Sequence, residues 1–166
     1  LYDMPKKFYD DKIKKMQSKV QGQLIIKEYP TAAAHTGHFK SLIDELALKK
    51  SFRPDIVFID YLNICSSSRF KGGNISSYFY IKAIAEELRG LAVEFDVPIF
   101  SATQTTRTGY VSTDIGLEDT SESFGLPATA DFMFALMSNE ELEGLGQMKV
   151  KQLKNRYNDP TMNKRF

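Results

Sequence analysis

Apolar side chains recur with helical periodicity in three parts of this chain. The spacing i, i+3, i+4 and i+7 places them on one face of an amphipathic helix, with charged residues on the other. The predicted helices cover residues 3–20, residues 36–50 with Thr36 as the N-cap, and a long segment from about Ser77 to Phe95.

Short runs of β-branched and aromatic residues alternate with these helices and predict strands. The predicted strands cover residues 23–29, 56–59, 98–102, 131–137 and 147–153. The run Ile56–Ile59 contains no polar residue, which is typical of a strand buried on both faces at the centre of a parallel sheet. The run at 98–102 is predicted to be another short buried strand. Residues 105–129 have little periodicity and predict a long functional loop.

The predicted order α-β-α-β-α-β-loop-β-β indicates an α/β fold with a mainly parallel sheet and right-handed crossovers. The connection between the last two strands is shorter than about 10 residues, which is too short for a helical crossover. We therefore predict a C-terminal antiparallel β-hairpin on the edge of the sheet.

Composition narrows the class of protein without identifying it. The chain has 166 residues, 42% hydrophobic and 26% charged, which suits one globular domain with a core. A net charge of +1 provides no global basic field, so nucleic-acid contacts would have to come from local loops. The single cysteine excludes an internal disulfide and fits a reducing compartment. No apolar run approaches about 18 residues, so no membrane span is expected.

Both ends suggest a segment of a longer protein. The chain opens at Leu1 without an initiator methionine and closes on a polar stretch. We expect residues 1–166 to be one partial domain, with residues 1–20 as an N-terminal helix and residues 161–166 as a tail.

Asp60 directly follows the central apolar run, at the carboxyl end of the predicted sheet. Ligands of open α/β sheets bind at that edge. An Asp in this position can hold the water shell of Mg²⁺ beside a nucleotide phosphate. The alternative is a structural Asp that caps the following turn.

Two further polar features follow predicted strands. Gln104 comes after the strand at 98–102, where its amide can orient a water or sense a γ-phosphate. Lys154 and Arg156 lie on alternate positions after the last strand and would suit the charge of a transferring phosphate. The alternatives are a loop hydrogen bond for the amide and a solvated basic tail for the two cations.

Four segments, in order, resemble the RecA-like motor domain of the DnaB-type hexameric replicative helicases. Asp55–Asn63 is similar to their Walker B segment, and Val97–Arg107 to the segment that ends in Ser-Gln-x-x-Arg. Glu122-Ser123 with Ala130-Asp131 resembles an Arg-Glu-Ser-Gly…Ala-Asp stretch, and Lys154–Pro160 resembles a Lys-x-Arg-x-Gly-Pro segment. Within that family the chain is most similar to the replicative helicases of T-even-like phages.

The resemblance implies a partial RecA-like P-loop NTPase fold and an ATP-hydrolysing DNA helicase that moves 5′–3′ on single-stranded DNA. It implies ATP and Mg²⁺ as cofactors, with Asp60 and Gln104 at the nucleotide and Lys154 and Arg156 reaching the nucleotide of a neighbouring subunit. The implied partners are a homo-hexamer, a primase and a helicase loader in the host-cell cytoplasm. The candidate DNA contacts are the loop residues Arg69, Lys71, Arg107, Glu122, Ser123, Phe124 and Gly125.

The chain also departs from the family pattern. Ser121 stands where the family has Arg, Asn-Asp-Pro replaces Gly-Pro after Tyr157, and no Gly-x-x-x-x-Gly-Lys-Ser/Thr segment occurs. We therefore expect the isolated chain to neither bind ATP tightly nor hydrolyse it. Two other functions remain open: a RecA-like ATPase of the recombinase or clock type, and a non-catalytic interaction domain that kept the fold.

His35 and His38 have the spacing of a metal pair, but no cysteine lies near them, so a structural role is favoured. Cys65 is expected to be a small packed residue. Tyr78 and Tyr80 could stack on bases, but packing at the start of a helix is favoured.

Overall fold

The computed structural model describes residues 4–70, 75–105, 116–119 and 125–158. Two short strands, β1 (Val57–Ile59) and β2 (Ile99–Ser101), pair in parallel with Val57 opposite Ile99 and Ile59 opposite Ser101. The predicted parallel pairing is confirmed. Because the strands are parallel and in register, the segments that leave them start from the same edge.

Helix α1 (Lys6–Gln17) is shorter than predicted and buries no residue. Helix α2 (Thr36–Lys50) is capped by His35 and not by Thr36. The Nδ1 atom of His35 accepts from the N–H of Gly37 (3.0 Å), and Nδ1 of His38 accepts from the N–H of His35 (3.2 Å). The two histidines thus form a reciprocal cap, which satisfies donors that a helix start leaves unpaired.

Helix α3 (Ser77–Phe95) supplies most of the core, as its apolar stripe predicts. Ile81, Ile84 and Leu88 pack with residues from both of its flanks, namely Leu62, Cys65 and Leu126. Cys65 is a buried free thiol whose pKa is raised by burial. Tyr80 packs against this cluster, and its hydroxyl accepts from the N–H of Ser67 (3.1 Å). The core therefore fixes the segment that follows β1 against α3.

The prediction that β1 and β2 are buried on both faces is wrong. Phe58 is 71% exposed, and its ring stacks on the exposed Phe100 of β2 at 5.4 Å. Ile59 points the other way and packs against the α3 core. A strand is buried on both faces only when a layer covers each face of its sheet. In the described part of the chain, α3 covers one face.

The hairpin is confirmed. Strands β3 (Phe132–Met137) and β4 (Lys149–Asn155) are antiparallel, with a register shift between Met133 and Phe134. The helix α5 (Glu140–Gly144) lies between them, and Asn139 caps it. The predicted position on the edge of the first sheet is wrong, because within the described ranges β3 and β4 form a sheet of their own.

A short helix, α4 (Gly125–Thr129), precedes β3 and packs against α3. It lies inside the segment predicted to be loop, of which the described part also includes a 3₁₀ turn at Leu117–Asp119. Since α4 and α3 hold the hairpin at its base, attachment to the rest of the chain does not require a strand pair with β2.

The prediction of a strand at 23–29 is wrong. The structure has irregular backbone there, with Leu24 81% and Ile26 77% exposed. A strand needs a hydrogen-bonded neighbour, and no described strand pairs with this segment. Within the described residues, no helix combines the length and the apolar character needed to cross a membrane.

Candidate nucleotide and nucleic-acid site

The ends of β1 and β2 stay together beyond the strands themselves. The hydroxyl of Ser101 donates to the carbonyl of Ile59 (2.8 Å), and the N–H of Leu62 donates to the carbonyl of Ala102 (3.3 Å). The peptide bond between Asp60 and Tyr61 is cis. These contacts carry the parallel pairing past the point where each strand ends.

Asp60 and Gln104 leave this paired edge on the same side of the sheet. Both side chains are exposed. The Nε2 group of Gln104 donates to the hydroxyl of Tyr61 at 3.3 Å, which links the residue after Asp60 to the predicted sensor amide. The structure therefore brings Asp60 and Gln104 to one rim, as parallel strands require.

The donor set at this rim is compatible with Mg²⁺ held through water. Magnesium usually keeps several waters and takes one or two carboxylates together with substrate phosphates. An exposed Asp60 carboxylate can accept hydrogen bonds from such waters. Among the described residues, no three His, Cys, Asp or Glu side chains are grouped as a metal cage, and a phosphate-bound magnesium does not need one.

Lys154 lies on β4, opposite Met133 in the hairpin. Its Nζ donates to the carbonyl of Pro127 (2.5 Å) and approaches that of Ala128 (3.4 Å). Burial, and after it the positive charge of Arg156, lower the pKa of Lys154 below its ordinary value.

Arg156 follows β4 by one residue and lies beside Lys154. Its Nη2 donates to the carbonyl of Ala128 (3.2 Å), and its Nη1 pairs with Asp131 Oδ1 (3.2 Å). Both predicted cations therefore contact the end of α4 in their own chain. These contacts do not connect them to the rim that carries Asp60 and Gln104, and their role on a neighbour's nucleotide stays a prediction.

The segment after β1 carries the DNA candidate Arg69, which the structure holds in place. Its Nη1 pairs with Glu86 Oε2 at 2.6 Å, and half of its side chain remains exposed. Gly125, another candidate, begins α4 and is buried. A Cβ on Gly125 would lie 3.1 Å from three carbons of the Lys82 side chain, so α4 approaches α3 more closely there than most side chains allow. Lys71, Arg107, Glu122, Ser123 and Phe124 lie outside the described residues.

Glu87 is a structural residue that the sequence patterns did not single out. It is 9% exposed, and its carboxylate accepts from the hydroxyl groups of Ser67 (2.5 Å), Ser68 (2.7 Å) and Thr36 (3.1 Å). It also accepts from the N–H of Ser68 at 2.9 Å. Its position three residues after Ile84 and four before Leu91 was the available signal, since that spacing places a carboxylate on the buried side of α3.

Arg89 and Asp131 are the other pair whose contact was not predicted. Arg89 Nη1 donates to Asp131 Oδ1 (2.7 Å) and to the carbonyl of Thr129 (2.8 Å). The two residues are 42 positions apart, and no local pattern links them.

Comparison with known proteins places this geometry in context. No protein-family profile matches the sequence. The chain is 47% identical over 152 residues to the DnaB-like replicative helicase of Enterobacteria phage T4. The match covers 91% of this chain and 32% of that protein, so the chain spans about a third of its relative's length. The resemblance that the four segments predicted is confirmed.

Two solved structures share the fold. The ATPase domain of a DnaB-like helicase superimposes with a TM-score of 0.73 at 19% identity, covering 95% of this chain and 56% of that one. A DnaB-like replicative helicase studied with its primase interactions gives a TM-score of 0.69 at 21% identity, covering 93% of this chain and 38% of that one. The predicted fold class, an α/β fold of the RecA-like helicase ATPase type, is confirmed.

Proposed function

We propose that this chain, a relative of the DnaB-like replicative helicase of phage T4, is part of an ATP-driven motor that moves on single-stranded DNA and unwinds duplex DNA. The observation that carries the proposal is the shared rim at which β1 presents Asp60 and β2 presents Gln104, linked through Tyr61. A carboxylate and an amide on neighbouring strands are what a nucleotide-hydrolysing site of this kind needs.

In this proposal Asp60 holds the water shell of Mg²⁺, and Gln104 contacts the γ-phosphate of ATP. Lys154 and Arg156 act on the nucleotide of the neighbouring subunit in a homo-hexamer. Hydrolysis then depends on assembly, because each site is completed by a second copy. The 5′–3′ direction, a primase partner and a helicase loader belong to the same proposal.

The proposed DNA contacts are Arg69, Gly125 and the candidates outside the described residues: Lys71, Arg107, Glu122, Ser123 and Phe124. Arg69 lies on the segment that leaves the β1 end of the rim, and Gly125 lies at the start of the helix that the two cations contact. Contacts to the backbone of single-stranded DNA would be independent of sequence and sensitive to salt.

The proposal can be tested in a chimera in which this chain replaces the 152 matching residues of the T4 relative. We expect the chimera to hydrolyse ATP when single-stranded DNA is added and to unwind a forked duplex. Asp60→Asn should reduce turnover at least about a hundredfold, since the metal's charge would lose its anchor. The matched control is Asp55→Asn, an exposed carboxylate before the same strand, which should leave turnover unchanged.

Three other results would contradict the proposal. ATP turnover without unwinding would favour a recombinase- or clock-type ATPase, and a folded hexamer without turnover would favour an interaction domain. Turnover by the isolated 166 residues would contradict the expectation that the chain, which lacks the phosphate-cradling Gly-x-x-x-x-Gly-Lys-Ser/Thr segment, is inactive alone.

A further inference from the structure

The base of the hairpin gathers three cations around one carboxylate. Arg89 comes from α3, Lys154 from β4 and Arg156 from the residue after β4, while Asp131 precedes β3. All three cations also donate to backbone carbonyls at the end of α4, between Pro127 and Thr129. The negative end of a helix favours cations, but it does not select one orientation for a guanidinium.

Asp131 supplies the directional contacts. Its Oδ1 lies 2.7 Å from Nη1 of Arg89 and 3.2 Å from Nη1 of Arg156, so a single oxygen bridges the two guanidinium groups. The backbone adds to this, because the N–H of Arg156 donates to the carbonyl of Asp131 at 2.9 Å. The main chain and the side chain of Arg156 are thus both referred to the same residue.

Arg156 is oriented without being buried. A guanidinium has five N–H donors in a fixed plane, and the contacts above use Nη1 and Nη2. The side chain keeps 41% of its surface exposed. A further acceptor, such as a phosphate oxygen, can therefore approach the group while Asp131 and Ala128 hold its plane.

Charge balance gives Asp131 a second role. Without its carboxylate, Arg89, Lys154 and Arg156 would be three cations around one helix end, and like charges at short range repel. The lowered pKa of Lys154, which follows from burial and from Arg156, shows that this repulsion reaches Lys154.

We propose that Asp131, itself held by Arg89, is a positioning residue that orients Arg156 and Lys154 toward an anion presented by a neighbouring subunit. The inference deepens the proposed function and rests on it. Asp131 does not touch the nucleotide in this arrangement. Its effect passes through the two side chains that would.

The test uses the chimeric hexamer with Asp131→Asn, which keeps the shape of the side chain and removes its charge. We expect turnover to fall roughly ten- to a hundredfold, because misplacing a catalytic group by about 1 Å has an effect of that size. The affinity for ATP, measured by binding of a non-hydrolysable analogue, should stay unchanged. Asp131→Glu should recover part of the turnover, and Asp10→Asn on α1, a helix that buries no residue, is the charge-matched control.

Mixed hexamers separate positioning from a general structural defect. An Asp131→Asn subunit keeps its own Asp60, and an Asp60→Asn subunit keeps correctly oriented cations. Mixing the two should therefore restore part of the turnover at interfaces between them. Failure to restore turnover, with both variants folded and hexameric, would overturn the proposal, since the defect would then lie within the Asp131→Asn subunit.

Arg156→Ala distinguishes this inference from the function on which it rests. If Arg156→Ala abolishes turnover while Asp131→Asn leaves it intact, the positioning role is wrong and the proposed function stands. If Arg156→Ala itself leaves turnover intact, the role of the cations in the proposed function is wrong, and the positioning role with it.

Discussion

Glu87 and Arg89 stand two residues apart on α3 and fasten different regions of the molecule. Glu87 binds the segment after β1 through Ser67 and Ser68, and reaches α2 through Thr36. Arg89 binds the base of the hairpin through Thr129 and Asp131. One helix therefore anchors the region that carries Arg69 and the region that carries the two candidate catalytic cations.

The two anchors differ in burial and in the charge of their partners. Glu87 is 9% exposed and accepts from uncharged donors. Arg89 has 37% of its side chain exposed and pairs with a charged carboxylate. Buried hydrogen bonds to a charge resist salt, whereas exposed ion pairs add little stability and are screened. The comparison suggests that Glu87 mainly stabilises the fold, while the contact of Arg89 mainly sets an orientation.

The strongest way to break this comparison is Glu87→Ala. The substitution leaves the N–H of Ser68 and several hydroxyl groups without their acceptor, and we expect the free energy of unfolding to fall by about 3 kcal/mol. Urea denaturation followed by circular dichroism would measure it. The neighbouring Glu86→Ala, which removes a partly exposed carboxylate, should change the unfolding free energy much less. Equal losses would contradict the assignment of Glu87 as the buried anchor.

Acid should weaken the Glu87 anchor selectively. Burial alone would raise the pKa of Glu87, but the hydrogen bonds from Ser67, Ser68 and Thr36 lower it below the ordinary 4.5. Because the folded pKa is lower than the unfolded one, the carboxylate stabilises the fold above pH 4.5, and this contribution is lost as the pH falls through the folded pKa. The unfolding free energy of Glu87→Gln should depend less on pH in that range. Parallel pH profiles of the two proteins would contradict this prediction.

The smallest effect is expected from Arg89→Gln. The urea midpoint should fall by a fraction of the change caused by Glu87→Ala, and the difference from the unsubstituted chain should shrink in about 1 M salt, where the Debye length is near 3 Å. A loss that is large and equal at low and high salt would show that Arg89 stabilises the fold in the same way as Glu87.

Much of the fold could be predicted from periodicity, because α2, α3 and the hairpin each carry a long amphipathic or alternating pattern. The errors have two physical causes. Residues 23–29 are apolar enough for a strand, but a strand also needs a partner that its own sequence cannot specify. The five-residue α4 is shorter than two helical turns and contains Pro127, so no period could reveal it.

The site was predictable where chain topology alone brings residues together. Asp60 and Gln104 meet because the carboxyl ends of parallel strands share an edge. Arg89 and Asp131 meet through packing between α3, α4 and the hairpin, and no local spacing encodes that contact. The contacts of Lys154 and Arg156 with Pro127 and Ala128 depend on the same packing and were missed for the same reason.

The shortness of α4 has a mechanical consequence. Five residues of helix extend about 7.5 Å, which leaves no length over which the element could bend. At one end Gly125 lies against Lys82, and at the other the carbonyls of Pro127 and Ala128 receive Lys154 and Arg156. A displacement of the chain entering α4 is therefore transmitted as a rigid lever to both cations, so grip on a strand at one end and charge placement at the other would change in the same stroke.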